Sequence, residues 1–219
     1  MVGILAIWND IDPKGYEHFE RWYNREHLHE RVAVPGFRSG RRFELASGGD
    51  RRFFAFYEVD SPSVLTSPTY VQRLENPTPW TTEAMASFRN MVRTVCDLRR
   101  SSGDLVGPLA VVLRADGSFD PTEQTEHFAD ELAAQNGIAR VQLWTAAAQQ
   151  TRADTAEMKL RGKDQIISGA LVVECMRRKD ADRVAASLTD RIIEGFGISG
   201  PHTLGVYQLL CIATPARGV

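Results

Sequence analysis

Asp-Pro stands a few residues beyond a short apolar run twice in this chain, at Asp12-Pro13 and at Asp120-Pro121. An Asp N-cap followed by Pro at the first helical position is a helix start. Each site therefore predicts a strand followed by a helix. The first pass reads as strand 3–8, helix 14–31 broken at Pro35-Gly36, a hairpin of strands 37–45 and 52–59, a helical region 61–74, a helical turn 81–87 and strand 89–98. The second reads as strand 109–113, helix 122–135, strand 139–144, a polar excursion 145–163, strand 168–176, helix 180–194 and strand 204–213. Asn136-Gly137-Ile138 takes the place of Pro35-Gly36-Phe37, and 99–107 reads as a polar linker. A repeat of about 100 residues signals a duplicated domain and not a solenoid.

The order βαββαβ makes a four-stranded antiparallel sheet with both helices on one face. The bare face needs a cover, and a second copy in the same chain supplies it. The expected fold is α+β: tandem duplicated ferredoxin-like units, residues 1–103 and 104–219, packed face to face as an intrachain barrel. Such packing uses only the sheet faces. The edges stay available, so a homodimer is left open.

With 219 residues, 43% hydrophobic and 25% charged, the composition is that of a soluble globular protein. A formal net charge of −2 gives nucleic acid or an anionic membrane no electrostatic footing as a partner. No apolar run approaches the ~20 residues of a membrane span. Cys96, Cys175 and Cys211 lie in strand-like runs without metal spacing, which predicts reduced buried thiols and a cytoplasmic location. Arg38, Arg41, Arg42, Arg51 and Arg52 read as a solvated strand edge.

One helix breaks the ordinary pattern. At about 100° per residue, Tyr16, Phe19 and Tyr23 share a face with Trp22 at its margin, and the stripe continues with Glu26, His27 and Glu30 instead of aliphatics. Charged groups on an inward face are paired, hydrated in a cavity or used in chemistry. His27 beside a carboxylate is a general acid/base candidate near neutral pH. Glu26 and Glu30, four apart, can meet and raise one another's proton affinity. Asn9 at a strand end can orient a carbonyl, and Tyr23 can donate to it. Trp8, Trp22 and Trp80 can wall a flat pocket. Arg93, on an apolar strand face, either binds a substrate anion or pairs with Glu26 or Glu30. His18 and His29 fall on the outer side. The pattern lacks metal spacing, a phosphate loop and a dinucleotide fingerprint, so no cofactor is expected.

The stretch WYNREHLHERVAVPGF, residues 22–37, resembles the W-Y-x-x-E-H-x-x-E-R-x-x-x-P-G-F signature of an uncharacterised branch of the dimeric α+β barrel superfamily. ENPTPWT, residues 75–81, is similar to a second signature segment of that branch. The superfamily includes EthD-type proteins, antibiotic-biosynthesis monooxygenases, aromatic polyketide cyclases and muconolactone isomerases. The resemblance implies a small-molecule enzyme, a cyclase, isomerase or lyase, acting on a polar aromatic or polyketide-like substrate with His27 at its centre. A non-enzymatic ligand-binding or regulatory module is the alternative. A haem- or flavin-dependent oxidoreductase is the third reading. The haem-binding branch uses a helical His as iron ligand, for which His127 is the candidate here.

Overall fold

The computed structural model describes residues 1–148, 150, 154–188, 193 and 195–216. Eight strands close into one antiparallel barrel in the order β1-β3-β2-β10-β5-β8-β7-β4. They are β1 (Gly3–Ile11), β2 (Phe37–Gly48), β3 (Phe53–Val59), β4 (Phe88–Ser102), β5 (Leu109–Ala115), β7 (Ile138–Ala146), β8 (Gly169–Cys175) and β10 (His202–Ala213). Two short strands, β6 (Ser118–Phe119) and β9 (Ile198–Ser199), pair separately. The expected strands are all present. The segment read as a linker is not one throughout, because β4 runs on to Ser102 to pair with β7.

Sheet faces alone do not hold the molecule together, contrary to the sequence expectation. β2 pairs with β10 and β4 with β7, so the barrel closes edge to edge. No barrel edge is left for a second copy to extend, and the hydrogen-bonding groups that invite edge pairing are used internally.

Alternation along each strand sorts side chains to two buried surfaces. Ile4, Ala6 and Trp8 point into the barrel, where they meet Phe43, Phe54, Phe56, Trp144 and Tyr207. Leu5 and Ile7 point outward, under the helices. A second outer core built on Val111, Leu143 and Leu171 lies under α5 (Glu123–Ala133) and α7 (Arg178–Ser187). The part of the expected helix 180–194 beyond Leu188 lies mostly outside the described residues.

Two of the arginines read as a solvated edge are buried. Arg41 points into the barrel and donates to Glu174 at 2.6 Å, while Arg42 lies beneath the first helix, where its Nη1 donates to Glu20 at 3.1 Å. The reason is closure: β2 is an inner strand covered on both sides. Arg38 and Arg52 are exposed as expected. The cysteines are free thiols, Cys96 and Cys175 buried and Cys211 half-buried. Among the described residues no helix is long and apolar enough to cross a membrane.

Candidate functional site

Asp12 caps the entry to the first helical segment, its carboxylate accepting from Lys14 N at 3.0 Å with Pro13 at the first position. The helix then runs as α1 (Tyr16–Trp22), a π turn over Tyr23–His27 and α2 (Leu28–Val32). At the π turn Leu28 N–H reaches back five residues to Tyr23 O. Residues four apart drift by about 40° per step on an α-helix, and the wider turn takes up part of that drift. Phe19, Tyr23, His27 and Arg31 consequently all face inward and are buried. Single π turns of this kind recur at functional sites.

The same turn separates the expected carboxylates. Glu26 is half-buried and accepts from Thr78 Oγ1 at 2.6 Å and Thr81 Oγ1 at 3.1 Å. Glu30 turns to the surface and pairs with Arg73 at 2.9 Å. They do not form a proton-sharing couple. Neither binds Arg93, whose Nη2 donates to Tyr70 Oη at 3.0 Å.

His27 lies in a narrow chamber of about 30 Å³ between the helices and the outer face of the sheet. Asn9, Tyr23, Tyr57, Arg31 and Arg93 share that chamber with Leu5, Ile7 and Phe88. The imidazole lies tilted on Trp22, ring centres 4.2 Å apart, with Tyr23 at 5.0 Å on its edge. Trp22 is held in turn by its indole N–H, which donates to Thr81 Oγ1 at 3.1 Å. His27 Nδ1 is buried without a hydrogen-bond partner. Burial drives the His27 pKa well below the ordinary imidazole value, and the charges of Arg31, Arg161 and Arg42 push the same way. The ring is therefore neutral at pH 7, with a lone pair to offer.

Tyr23 and Tyr57 hydroxyls lie 3.3 Å apart. Burial raises both pKa values, Tyr57's well above the ordinary one, so both remain O–H donors. The chamber thus holds a neutral base, three phenols, three guanidinium groups, the Asn9 amide and the Glu157 carboxylate among apolar side chains. Such a set can take a proton from carbon and hold an oxygen that gains charge.

Asn9, Tyr23, His27 and Arg93 are brought together as expected. Trp22 backs the imidazole. Trp8 is placed elsewhere: strand alternation puts it inside the barrel, stacked on Phe54 at 4.9 Å, on the opposite side of the sheet from Asn9. Trp80 is half-buried beside the His18 ring at 6.2 Å and does not line the chamber. The sequence reading missed Tyr57, Tyr70, and Glu157 on α6 (Ala156–Arg161), which pairs with Arg31 across the chamber. For Arg31 a signal existed, since it continues the Phe19, Tyr23, His27 spacing.

His127 does not fit an iron-porphyrin site. It is 74% exposed on α5 and pairs with Glu131 at 3.3 Å, so the ring faces solvent and not a closed slot. Among the described residues no group of three or more His, Cys, Asp or Glu is placed to hold a metal ion.

No protein-family model matches the chain, and no curated protein matches it. Solved structures do. An anthrone oxidase-like protein superposes with a TM-score of 0.59 at 10% identity, covering 99% of this chain and 94% of that one. A candidate monooxygenase from Fusobacterium nucleatum gives 0.58 at 11% identity, with 100% and 96% covered. A candidate chlorite dismutase gives 0.55 at 11% identity, with 96% and 95% covered. At such identities the likeness is one of architecture, and it shows that this chain has the closed α+β barrel fold those proteins share.

Proposed function

We propose that the chain is a cofactor-independent small-molecule enzyme, an isomerase, cyclase or lyase, that moves a proton on a polar aromatic carbonyl compound. His27 Nδ1 takes the proton from the carbon beside the carbonyl. Tyr23 and Asn9 hold the carbonyl oxygen as it becomes an enolate, with Tyr57 donating through Tyr23. Glu26 acts at one remove: tied to Thr78 and Thr81, it fixes the helix that presents His27. One observation carries the reading, namely a buried imidazole nitrogen without a partner in a chamber shared with two protonated tyrosines. The name of one similar structure, an anthrone oxidase-like protein, favours the same class of small aromatic substrate.

The proposal includes the architecture. The quartets β4-β1-β3-β2 and β10-β5-β8-β7 have one connection order, which supports two ferredoxin-like units, 1–103 and 104–219, as its source. The signature over residues 22–37 supports membership of the uncharacterised branch that it resembles.

The test is deuterium exchange. Aromatic ketones that carry a C–H next to the carbonyl are incubated with the protein in D2O and followed by NMR. The native protein should accelerate exchange at the carbon next to the carbonyl, and His27→Gln should return it to the buffer rate while melting within a few degrees of the parent. No acceleration by the native protein, or the same acceleration by the variant, would refute the assignment. A binding module is the second reading, favoured by the narrowness of the chamber. It predicts saturable broadening of the ketone resonances without exchange.

A further inference from the structure

His27 Nδ1 is not alone in lacking a partner. Arg31 is 2% exposed, and its guanidinium is gripped on one side only. Nη2 donates to Glu157, whereas Nη1 is buried with no acceptor. Leaving a desolvated guanidinium N–H unmade is costly. Glu157 comes from α6, a segment of the other half of the chain, which is fastened over the chamber by Ala156 N donating to Glu75 at 3.2 Å.

Beyond α6 lies a much larger space. A cleft of about 720 Å³ is lined by Arg93, Met158, Lys163, Asp164, Ile166 and two glutamines. Ile166 is 68% exposed there. Arg93 lines both the cleft and the chamber, so the two adjoin at its side chain. Glu157 and Asp164, the acids that line the two spaces among the described residues, are each paired to an arginine. Met158 and Ile166 give the cleft an apolar floor.

Size and charge divide a ligand between the two spaces. The chamber is the narrow space and the cleft the wide one. The cleft takes a ring. We propose that chamber and cleft together bind an aromatic acid. Its acidic oxygen accepts from Arg31 Nη1, and its ring lies against Met158 and Ile166. Glu157 is then a positioning residue that holds the guanidinium edge toward the ligand, and α6 with the residues after it joins the second half of the chain to a chamber built mainly from the first. This deepens the enzymatic reading by giving its substrate an anionic group, and it rests on the chamber being the place where the substrate's reacting end sits.

Calorimetric titration with benzoate and its neutral isostere benzamide tests the assignment without any turnover. The native protein should bind benzoate at least tenfold more tightly. The double variant Arg31→Met, Glu157→Leu replaces a buried ion pair by apolar groups, a change that folds commonly tolerate, and should bind the two probes equally. If that variant does not fold, Arg31→Lys, which keeps the charge but loses the planar fork, should weaken benzoate severalfold and leave benzamide unchanged. Equal affinities in the native protein, no binding of either probe, or a preference for benzoate that survives removal of Arg31 would overturn the proposal. A native protein that prefers benzoate but accelerates no deuterium exchange would tell against the acid-base reading alone.

Discussion

Arg38 and Arg42 are four residues apart in one strand, yet their environments could hardly differ more. Arg38 pairs with Asp60 in solvent. Arg42 is 1% exposed, its guanidinium 4.4 Å from the Tyr23 ring centre and 4.8 Å from that of Phe19. Arg42→Ala loses both the pair with half-buried Glu20 and the packing of a buried guanidinium on two rings, so it should cost about 2–3 kcal/mol, against less than about 1 kcal/mol for Arg38→Ala. Urea melts of the two variants measure this. Nothing local separates them in the sequence, because alternation says which face a residue takes and not that both faces of β2 are covered. His27 supplies a second prediction at this scale. Its folded pKa lies below its unfolded value, so the unfolded chain binds the extra proton first as pH falls. Stability should be independent of this group above about pH 6.5 and should drop as pH falls from there toward the depressed folded value. In His27→Gln that part of the slope should vanish. An identical pH dependence of melting in the two proteins would contradict the buried neutral ring. His27 itself was legible, because an imidazole in an aromatic stripe is conspicuous.

At the scale of elements, the helix wheel failed where the helix ceased to be regular. A uniform 100° step puts Glu26 and Glu30 inward, whereas the π turn sends Glu30 to the surface and lets Glu26 reach Thr78. Hydrogen bonding i→i+5 has no residue signature in this segment, so the turn was not readable beforehand. Thr78 does two jobs in the resulting structure. Its Oγ1 accepts from Thr81 N at 3.0 Å, capping α4 (Pro79–Met85), and donates to Glu26. Thr78→Ala should therefore cost about 1–2 kcal/mol, the upper range for a lost cap. Glu30→Ala should cost less than about 1 kcal/mol, as for an exposed pair. If thermal melts reverse that order, the tie between Glu26 and α4 is not what holds the helix. α6 lies within the stretch that reads as a polar excursion in the sequence. Its Glu157 meets Arg31 across 126 positions of chain, and no local period encodes a pairing of that range.

Across the whole molecule, the order of elements was legible from strand and turn punctuation, while the closure was not. Which distant edges meet depends on twist and stagger of the complete sheet, and local pattern does not carry that. Closure has an energetic consequence. The barrel interior is built jointly: Phe56 packs on Trp144 at 5.0 Å, Phe54 meets Tyr207 at 5.4 Å, and Arg140 bonds both Glu58 at 2.9 Å and Glu174. The proposed first unit, cut away at residue 103, would present Ile4, Trp8, Phe43, Phe54, Phe56 and Val92 to water on one face, together with the bare edges of β2 and β4. A contiguous apolar face with open edges is a surface for association. The fragment 1–103 expressed alone should therefore appear by light scattering as a dimer or larger species. Co-expression with 104–219 should yield a one-to-one complex at the mass of the intact chain. A fragment 1–103 that stayed monomeric with protected amides would show that its core is self-sufficient, and the barrel would then be two domains in contact instead of one jointly folded body.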